Sequence, residues 1–357
     1  LFRPAAEDRR AVFAQADWVV GKRLKLVAAG RIDDSNLFDA RFSPRAAVVY
    51  NPTPLHTIRL TYGRAFEEPT IMEFFVGIDV APPQDLSAFQ TAFCDPSGVD
   101  CGFGTAQNPV PTSVLALGNE DLSLQQTETI ELGYSGILGK RAHVTVDVYR
   151  GRNEDFVSSL LPQLGTPLGR VNENFGPWEP PSGLSDSSRD AIRQAVPLLS
   201  NGPDGSPVIA ALSFTNLGNV DTLGAELGVR YYPDDHWALS MAFAWFDYKI
   251  EDPVPGTEDL LLPNTPGNAV SLGATYAADR WDVGLSGRWV DGFRWSSGVF
   301  IGDVESYTIV DLQANYSLGE HWRLGLNVAN LLDNSHYEKF GGDLLRRRAL
   351  ASVAFDW

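Results

Sequence analysis

The sequence predicts an all-β chain, an antiparallel up-and-down β-barrel that crosses a membrane with its strands. Three observations lead there. Apolar and polar residues alternate with period two from end to end, connections are short and long by turns, and tryptophans gather at the short-turn ends of strands.

The alternation is clearest near the C-terminal end. In 310–318 one face reads Val310, Leu312, Ala314, Tyr316, Leu318 and the other Asp311, Gln313, Asn315, Ser317. Residues 322–329 repeat it, with Trp322, Leu324, Leu326 and Val328 against Arg323, Gly325 and Asn327. Val144, Val146 and Val148 likewise oppose His143, Thr145 and Asp147. Helical periodicity is confined to one short stretch, 185–199, inside a loop. Thirteen strands are expected, near 10–20, 22–33, 43–51, 55–65, 123–135, 140–156, 213–232, 236–250, 267–278, 280–295, 304–318, 321–332 and 345–357.

The connections sort into two sets. Tight turns are expected at 21–22, 51–54, 135–139, 233–235, 278–279 and 319–320. Between them lie longer segments at 34–42, 66–122, 157–212, 251–266, 296–303 and 333–344. Membrane barrels have this asymmetry, with short periplasmic turns and long extracellular loops.

Trp18, Trp237, Trp281, Trp322 and Trp357 all fall at short-turn ends, joined by Tyr50, Tyr134 and Tyr231. Two strands carry a second tryptophan eight residues on, Trp245 after Trp237 and Trp289 after Trp281. Eight residues of tilted strand climb about 21 Å, close to the ~25 Å apolar band that aromatic girdles flank. Indole rings prefer such interfaces. These seven tryptophans are therefore expected at the membrane boundary.

Composition agrees and excludes other classes. Lys+Arg 28 against Asp+Glu 45 gives a formal charge of −17, which disfavours a nucleic-acid partner, since phosphate binding draws on cations. No apolar run nears the ~20 residues of a helical span, as expected where strands alternate. Cys94 and Cys101, the only cysteines, lie seven apart in a Gly/Pro-rich stretch. They read as a local disulfide of an oxidising compartment, or as two free loop thiols. The first residue is Leu1, with neither initiator Met nor signal peptide. Thirteen strands cannot close antiparallel, because the first and last run the same way, so further strands are expected upstream.

No catalytic constellation emerges. His56, His143, His236, His321 and His336 are scattered without ligand spacing; His236 and His321 sit beside tryptophans, where an interfacial role suits them. Asp79, Asp85, Asp95 and Asp100 lack the order of a calcium loop and read as a solvated acidic loop. Gly102 and Gly104 do not link a strand to a helix, so no phosphate cradle is expected. Binding has more support. The long loops carry Phe75, Phe89, Phe93, Phe103, Phe175 and Trp178, and Phe293, Arg294, Trp295 and Phe300 flank the outer end of one strand. Aromatics near an arginine suit a planar or anionic ligand such as a metal chelate. The alternative is that these rings pack the loops and that Trp295 belongs to the outer girdle. Of this set, Phe75, Phe89, Phe175, Trp178, Phe293, Arg294 and Trp295 are the candidate ligand contacts.

Ordered motifs then bring a family into view. Residues 60–66 (LTYGRAF) with Pro69-Thr70 and Glu73-Phe74-Phe75 resemble a "YGRAFRAPTLNELF" stretch. Gly118-Asn119-Glu120-Asp121-Leu122, leading to Glu128 and Glu131-Leu132-Gly133-Tyr134, is similar to "GNPDLKPE…ELGY". Phe214-Thr215-Asn216 with Gly224-Ala225-Glu226-Leu227, Leu262-Pro263-Asn264-Thr265-Pro266, and Asn330-Leu331-Leu332-Asp333-Asn334 with Tyr337 follow in order, and 351–357 (ASVAFDW) looks like a closing strand. Together they resemble TonB-dependent outer-membrane receptors over essentially the whole chain. The resemblance implies a twenty-two-stranded barrel, of which 1–357 holds the last thirteen strands. A plug domain, an energy-coupling box and nine strands would lie upstream. It implies a Gram-negative outer membrane, lipid around the barrel, a TonB complex reached through the absent N-terminal region, and a small-molecule or chelate ligand. Ferric siderophores are the default cargo, with other metal chelates, cobalamin and oligosaccharides as alternatives. The rival classes are a passive porin, an outer-membrane enzyme and a soluble β-sandwich.

Overall fold

The computed structural model describes residues 6–163, 176–202, 204–297 and 300–355. Thirteen long strands form one sheet in chain order. They are β1 Arg9–Val20, β2 Leu24–Ser35, β3 Phe38–Thr53, β4 His56–Glu67, β5 Gln125–Leu138, β6 Ala142–Glu154 and β7 Asn219–Tyr231. The rest are β8 Trp237–Glu251, β9 Asn268–Ala277, β10 Trp281–Val290, β11 Tyr307–Leu318, β12 Trp322–Ala329 and β13 Arg348–Phe355. Every neighbour pairs antiparallel. This is the up-and-down sheet expected, with the same thirteen strands.

Register assigns the faces, because partners directly opposite share one. Across β9 to β12, Leu272 faces Gly287, which faces Val310, while Leu285 lies between Ala274 and Leu312, and Leu312 faces Val328. The apolar set of each strand thus falls on one surface. On the other surface, Ser286 opposes Gly273 and Asp311, and Gln313 opposes Asn327. The apolar surface is uncovered: Leu272 is 56% exposed, Leu285 48% and Leu326 40%. An apolar belt of this extent suits hydrocarbon rather than water. No helix among the described residues is long and apolar enough to cross a membrane.

Buried apolar clusters lie mainly in the loops and at the outer strand ends. A soluble sandwich would bury its strand faces instead. Polar groups of the opposite surface pair across strands: Arg59 bridges Glu131 and Asp147, and Asn315 donates to Asp282 at 2.9 Å.

Four expectations need correction. The segment 34–42 is no long loop; β2 and β3 run on and join through residues 36 and 37, with Ser35 opposite Phe38 and one irregularity near Asp33. Asp33 is 1% exposed and bridged by Arg9 and Arg31, which lets a polar stretch remain in the sheet. The strand expected at 280–295 stops at Val290; Phe293–Ser297 folds back on Phe300–Val304 as a separate hairpin, so β11 begins only at Tyr307. The strand expected at 213–232 starts at Asn219, because Ala210–Ser213 pairs within the loops. The strand expected to reach residue 332 ends at Ala329, where Asn330 takes a positive φ of 55° and its side chain bonds Asn334.

β1 pairs only with β2, and β13 only with β12, among the described residues. Both run in the same direction, so they cannot pair antiparallel with each other.

Candidate ligand-binding region

The described residues of the two longest loops, 68–124 and 155–218, form one folded unit above the sheet. Gly77–Asp79 pairs antiparallel with Val114–Leu117, which lies parallel to Ala210–Ser213, which pairs antiparallel with Leu161–Pro162. Two strands of each loop thus join in a single four-stranded sheet, the pair from the second loop beside the pair from the first.

The family-like motifs build its base. Thr70 and Glu73 form a capping box: Thr70 Oγ1 accepts from the Glu73 N–H at 3.2 Å, and Glu73 Oε2 accepts from the Thr70 N–H. Gly118 rests on the backbone of Phe74 and Phe75, where any Cβ would overlap it. Asn119, 4% exposed, donates to the Phe214 carbonyl at 3.0 Å. Asn216 donates to the carbonyls of Ser123 and Asp155 and accepts from the Ser123 N–H. These side chains tie the feet of both loops together.

Above them lies a shared core. Leu86, Cys94, Cys101 and Phe103 of the first loop pack with Trp178, Leu184, Ile192 and Leu199 of the second. Cys94 and Cys101 are bonded, with Cα atoms 6.2 Å apart, and both are buried. The helix expected at 185–199 is Asp186–Ala195, capped by Ser185, whose hydroxyl accepts from the Ser188 N–H; Ile192 is its buried anchor.

The candidate contacts divide between loops. Phe75 packs on Phe74 with ring centroids 5.8 Å apart, at the edge of the basal cluster. Phe89 and Trp178 belong to the shared core, where Trp178 lies 5.2 Å from Phe103. Phe293, Arg294 and Trp295 lie together in the separate hairpin, with the two rings 6.3 Å apart. Arg294 is already engaged: Nε and Nη2 each donate to an Asp259 carboxylate oxygen at 2.8 Å. That pairing holds the Asp259 carboxyl below its usual pKa and raises that of Arg294. Phe175 lies outside the described residues.

Of Asp79, Asp85, Asp95 and Asp100 in the first loop, three accept local hydrogen bonds. Asp85 accepts from the Ser87 N–H and Asp100 from the Gly102 N–H, each at 2.8 Å, and Asp95 accepts from Gln90. Among the described residues no cluster of three or more His, Cys, Asp or Glu could hold a metal ion.

Trp18, Trp237, Trp245, Trp281, Trp289 and Trp322 all lie on the apolar surface by register. Tyr276 packs between Trp237 at 5.0 Å and Trp281 at 5.1 Å, and Trp322 packs on Phe355 at 4.8 Å, a row along the short-turn rim. Trp357 lies outside the described residues.

Spacing gave no sign of a second region. A cavity of about 760 Å³ opens between the hairpin and the 330–347 loop, lined by Asp303, Glu305, His336, Tyr337 and Phe340 among others. The two loops interlock there, for Phe340 lies on Gly302 and Phe300 on Gly341. His336 stacks on Tyr307 at 4.6 Å, and Arg288 reaches both Tyr307 and Glu338. The one available signal was a histidine placed inside the family-like 330–337 segment.

Comparison with curated protein sequences finds no match. Solved structures match over nearly the whole chain. The siderophore receptor PirA from Pseudomonas aeruginosa is 14% identical, with a TM-score of 0.59, covering 98% of this chain and 49% of that one. A mutant ferric enterobactin receptor (PfeA) from Pseudomonas aeruginosa in complex with enterobactin is 15% identical, TM-score 0.64, covering 98% and 46%. The copper transporter OprC is 15% identical, TM-score 0.61, covering 98% and 48%. The chain spans less than half the length of these structures, and identities so low bear on the fold alone. The family model for TonB-dependent receptor-like β-barrels matches residues 2–331. The chain therefore belongs to the TonB-dependent receptor β-barrel family.

Proposed function

We propose that residues 1–357 are the C-terminal portion of the barrel of an outer-membrane receptor that takes up a scarce nutrient with energy from the TonB complex. The cargo is a ferric siderophore or another metal chelate. The observation that carries this reading is a lipid-type barrel sheet of this family whose longest loops fold into one disulfide-bonded cap. A porin needs an open mouth, whereas a built cap suits capture. The neighbours named as siderophore receptors and a copper transporter support a chelated metal as cargo.

The unpaired outer sides of β1 and β13 support a sheet continued by further strands, as backbone groups left open in lipid cost several kcal/mol each. Nine strands would complete a barrel of twenty-two, with a plug and coupling box upstream. The protein then resides in the outer membrane of a Gram-negative bacterium, and its loops face outward. Titration of the intact receptor with ferric and iron-free chelates tests the cargo. Selective binding of the iron-loaded form is expected; equal binding of both forms would contradict it, and steady open-channel conductance in planar bilayers would point to a porin.

A further inference from the structure

We infer that the connections 252–267, 291–306 and 330–347 fold inward as one collar on the lumen wall, and that this collar limits the size of solute passing the outer mouth over β7 to β11. Its outward position rests on the uptake reading above; the cargo plays no part.

Register shows which surface these loops cover. Val220 opposes Ile250, Val290 opposes Tyr307 and Arg288 opposes Ile309, all on the lumen-facing surface. The interior of such a barrel is polar and wet. Yet Val220 is 0% exposed, Val290 6%, and Tyr307 and Ile309 7% each. The loops supply the cover. Leu261 of the first connection packs with Val220. His336 of the third stacks on Tyr307 with ring centroids 4.6 Å apart. Arg288 Nη2 donates to Glu338 at 2.6 Å, and its guanidinium lies 5.8 Å from the Tyr307 ring centroid. Residues 336–338 therefore lie against the lumen side of β10 and β11.

The turn out of β12 sends the chain that way. The Asn330 N–H donates at 2.8 Å to Asp311, a lumen-facing carboxylate opposite Ser286. His336 and Leu345 then exchange backbone bonds of 3.2 and 2.9 Å, closing a tongue with its tip at 337–344.

The three connections are also fastened to each other. Arg294 of the hairpin grips Asp259 through two bonds of 2.8 Å, and Asn264 and Ser296 exchange two more of 2.8 Å. Phe340 of the tongue lies on Gly302 of the hairpin, and Phe300 of the hairpin on Gly341. A Cβ at either glycine would meet the ring. The fastenings thus run from the wall at Val220 through three loops and back to the wall at Tyr307. A band seated at both ends is a constriction, and pore width selects solutes.

The test labels Ser286→Cys, an exposed lumen-facing position on β10, in whole cells carrying the intact receptor. Cys94 and Cys101 are bonded to each other, so no other described residue offers a free thiol. Two maleimides are compared, a small charged one and one on a long polyethylene glycol chain. Ser187→Cys, exposed on the cap helix, gives their rate ratio at an open site. Against that ratio, the large reagent should be slowed at least tenfold at Ser286→Cys. His336→Ala with Glu338→Gln, which removes both wall contacts of the tongue, should cut the slowing below threefold. Glu338→Gln alone, at an exposed position where misfolding is no concern, should reduce it in part. Slowing that is absent in the parent, or unchanged in both variants, would overturn the collar as a constriction. Failure of the small reagent at Ser286→Cys, with Ser187→Cys reactive, would mean a mouth closed to solutes of every size and overturn it too. Silence at both positions would overturn the outward orientation and the collar with it. Chelate binding enters none of these outcomes, so the cargo stands or falls separately.

Discussion

At Leu285 and Ser286 two adjacent side chains meet different solvents. Leu285 lies on the apolar surface between Ala274 and Leu312, and Ser286 on the polar one between Gly273 and Asp311. A charge on the lipid face near mid-membrane costs about 2–4 kcal/mol, whereas a lumen position tolerates it. Leu285→Arg in the intact receptor should lose about that much folding free energy in lipid vesicles, and Ser286→Arg almost none. Equal effects in urea titration would contradict the face assignment. Asp259 offers a gentler test. Its folded-state carboxyl pKa is depressed, chiefly by the Arg294 hydrogen bonds, from an ordinary value of 3.8. The pair therefore contributes stability above pH 3.8, lost as pH falls through the lower folded value. Both groups are well exposed, so the effect is small and local. Amide exchange in the 293–304 hairpin should quicken in Asp259→Asn at pH 7. That difference from the parent should shrink in acid.

Among the elements, the strands were legible and the loops were not. Period-two alternation survives in β11 and β12 because one surface faces lipid and every second residue must comply. Where that constraint ends, the alternation ends too. Residues 291–297 keep strand-like composition, yet the chain turns at Asp291-Gly292 into a hairpin. The four-stranded loop sheet joins segments of two to four residues from distant parts of the chain, including Val114 beside Ala210. Segments so short have no period to detect. The motifs fared better, since Thr70, Glu73, Gly118, Asn119 and Asn216 each make a specific backbone contact. The loop aromatics were visible as residue types, but spacing could not separate rings that pack a loop core, such as Trp178, from rings that line a cavity. The cap's integrity can be probed through its disulfide. Closing an eight-residue loop is worth about 2–3 kcal/mol in chain entropy. Cys94→Ser with Cys101→Ser should lower protection of cap amides, Ile192 included, by a matching amount while leaving β5 to β8 unchanged. Uniform loss across the barrel would contradict an independently folded cap.

On the scale of the whole molecule, polarity is divided twice. Across the sheet, apolar residues face outward and polar ones face the lumen. Along the strands, the short turns carry five Lys and Arg against four Asp and Glu, while the long loops hold nearly all the net negative charge, with 23 Asp and Glu against seven Lys and Arg. The cavity at His336 was invisible beforehand because it forms between two loops that only the fold brings together. The open edges of β1 and β13 carry a further consequence. Residues 1–357 refolded alone should lack the heat-modifiable migration of a closed barrel, and the intact receptor should show it. The most direct test of the central claim is a nitroxide scan along residues 281–290 of the intact receptor in bilayers. Oxygen accessibility should peak at the odd positions, Trp281, Val283, Leu285, Gly287 and Trp289. Accessibility to a water-soluble nickel chelate should peak at the even ones. Loss of that alternation, or burial of the odd positions from both reagents, would contradict a strand that divides lipid from lumen.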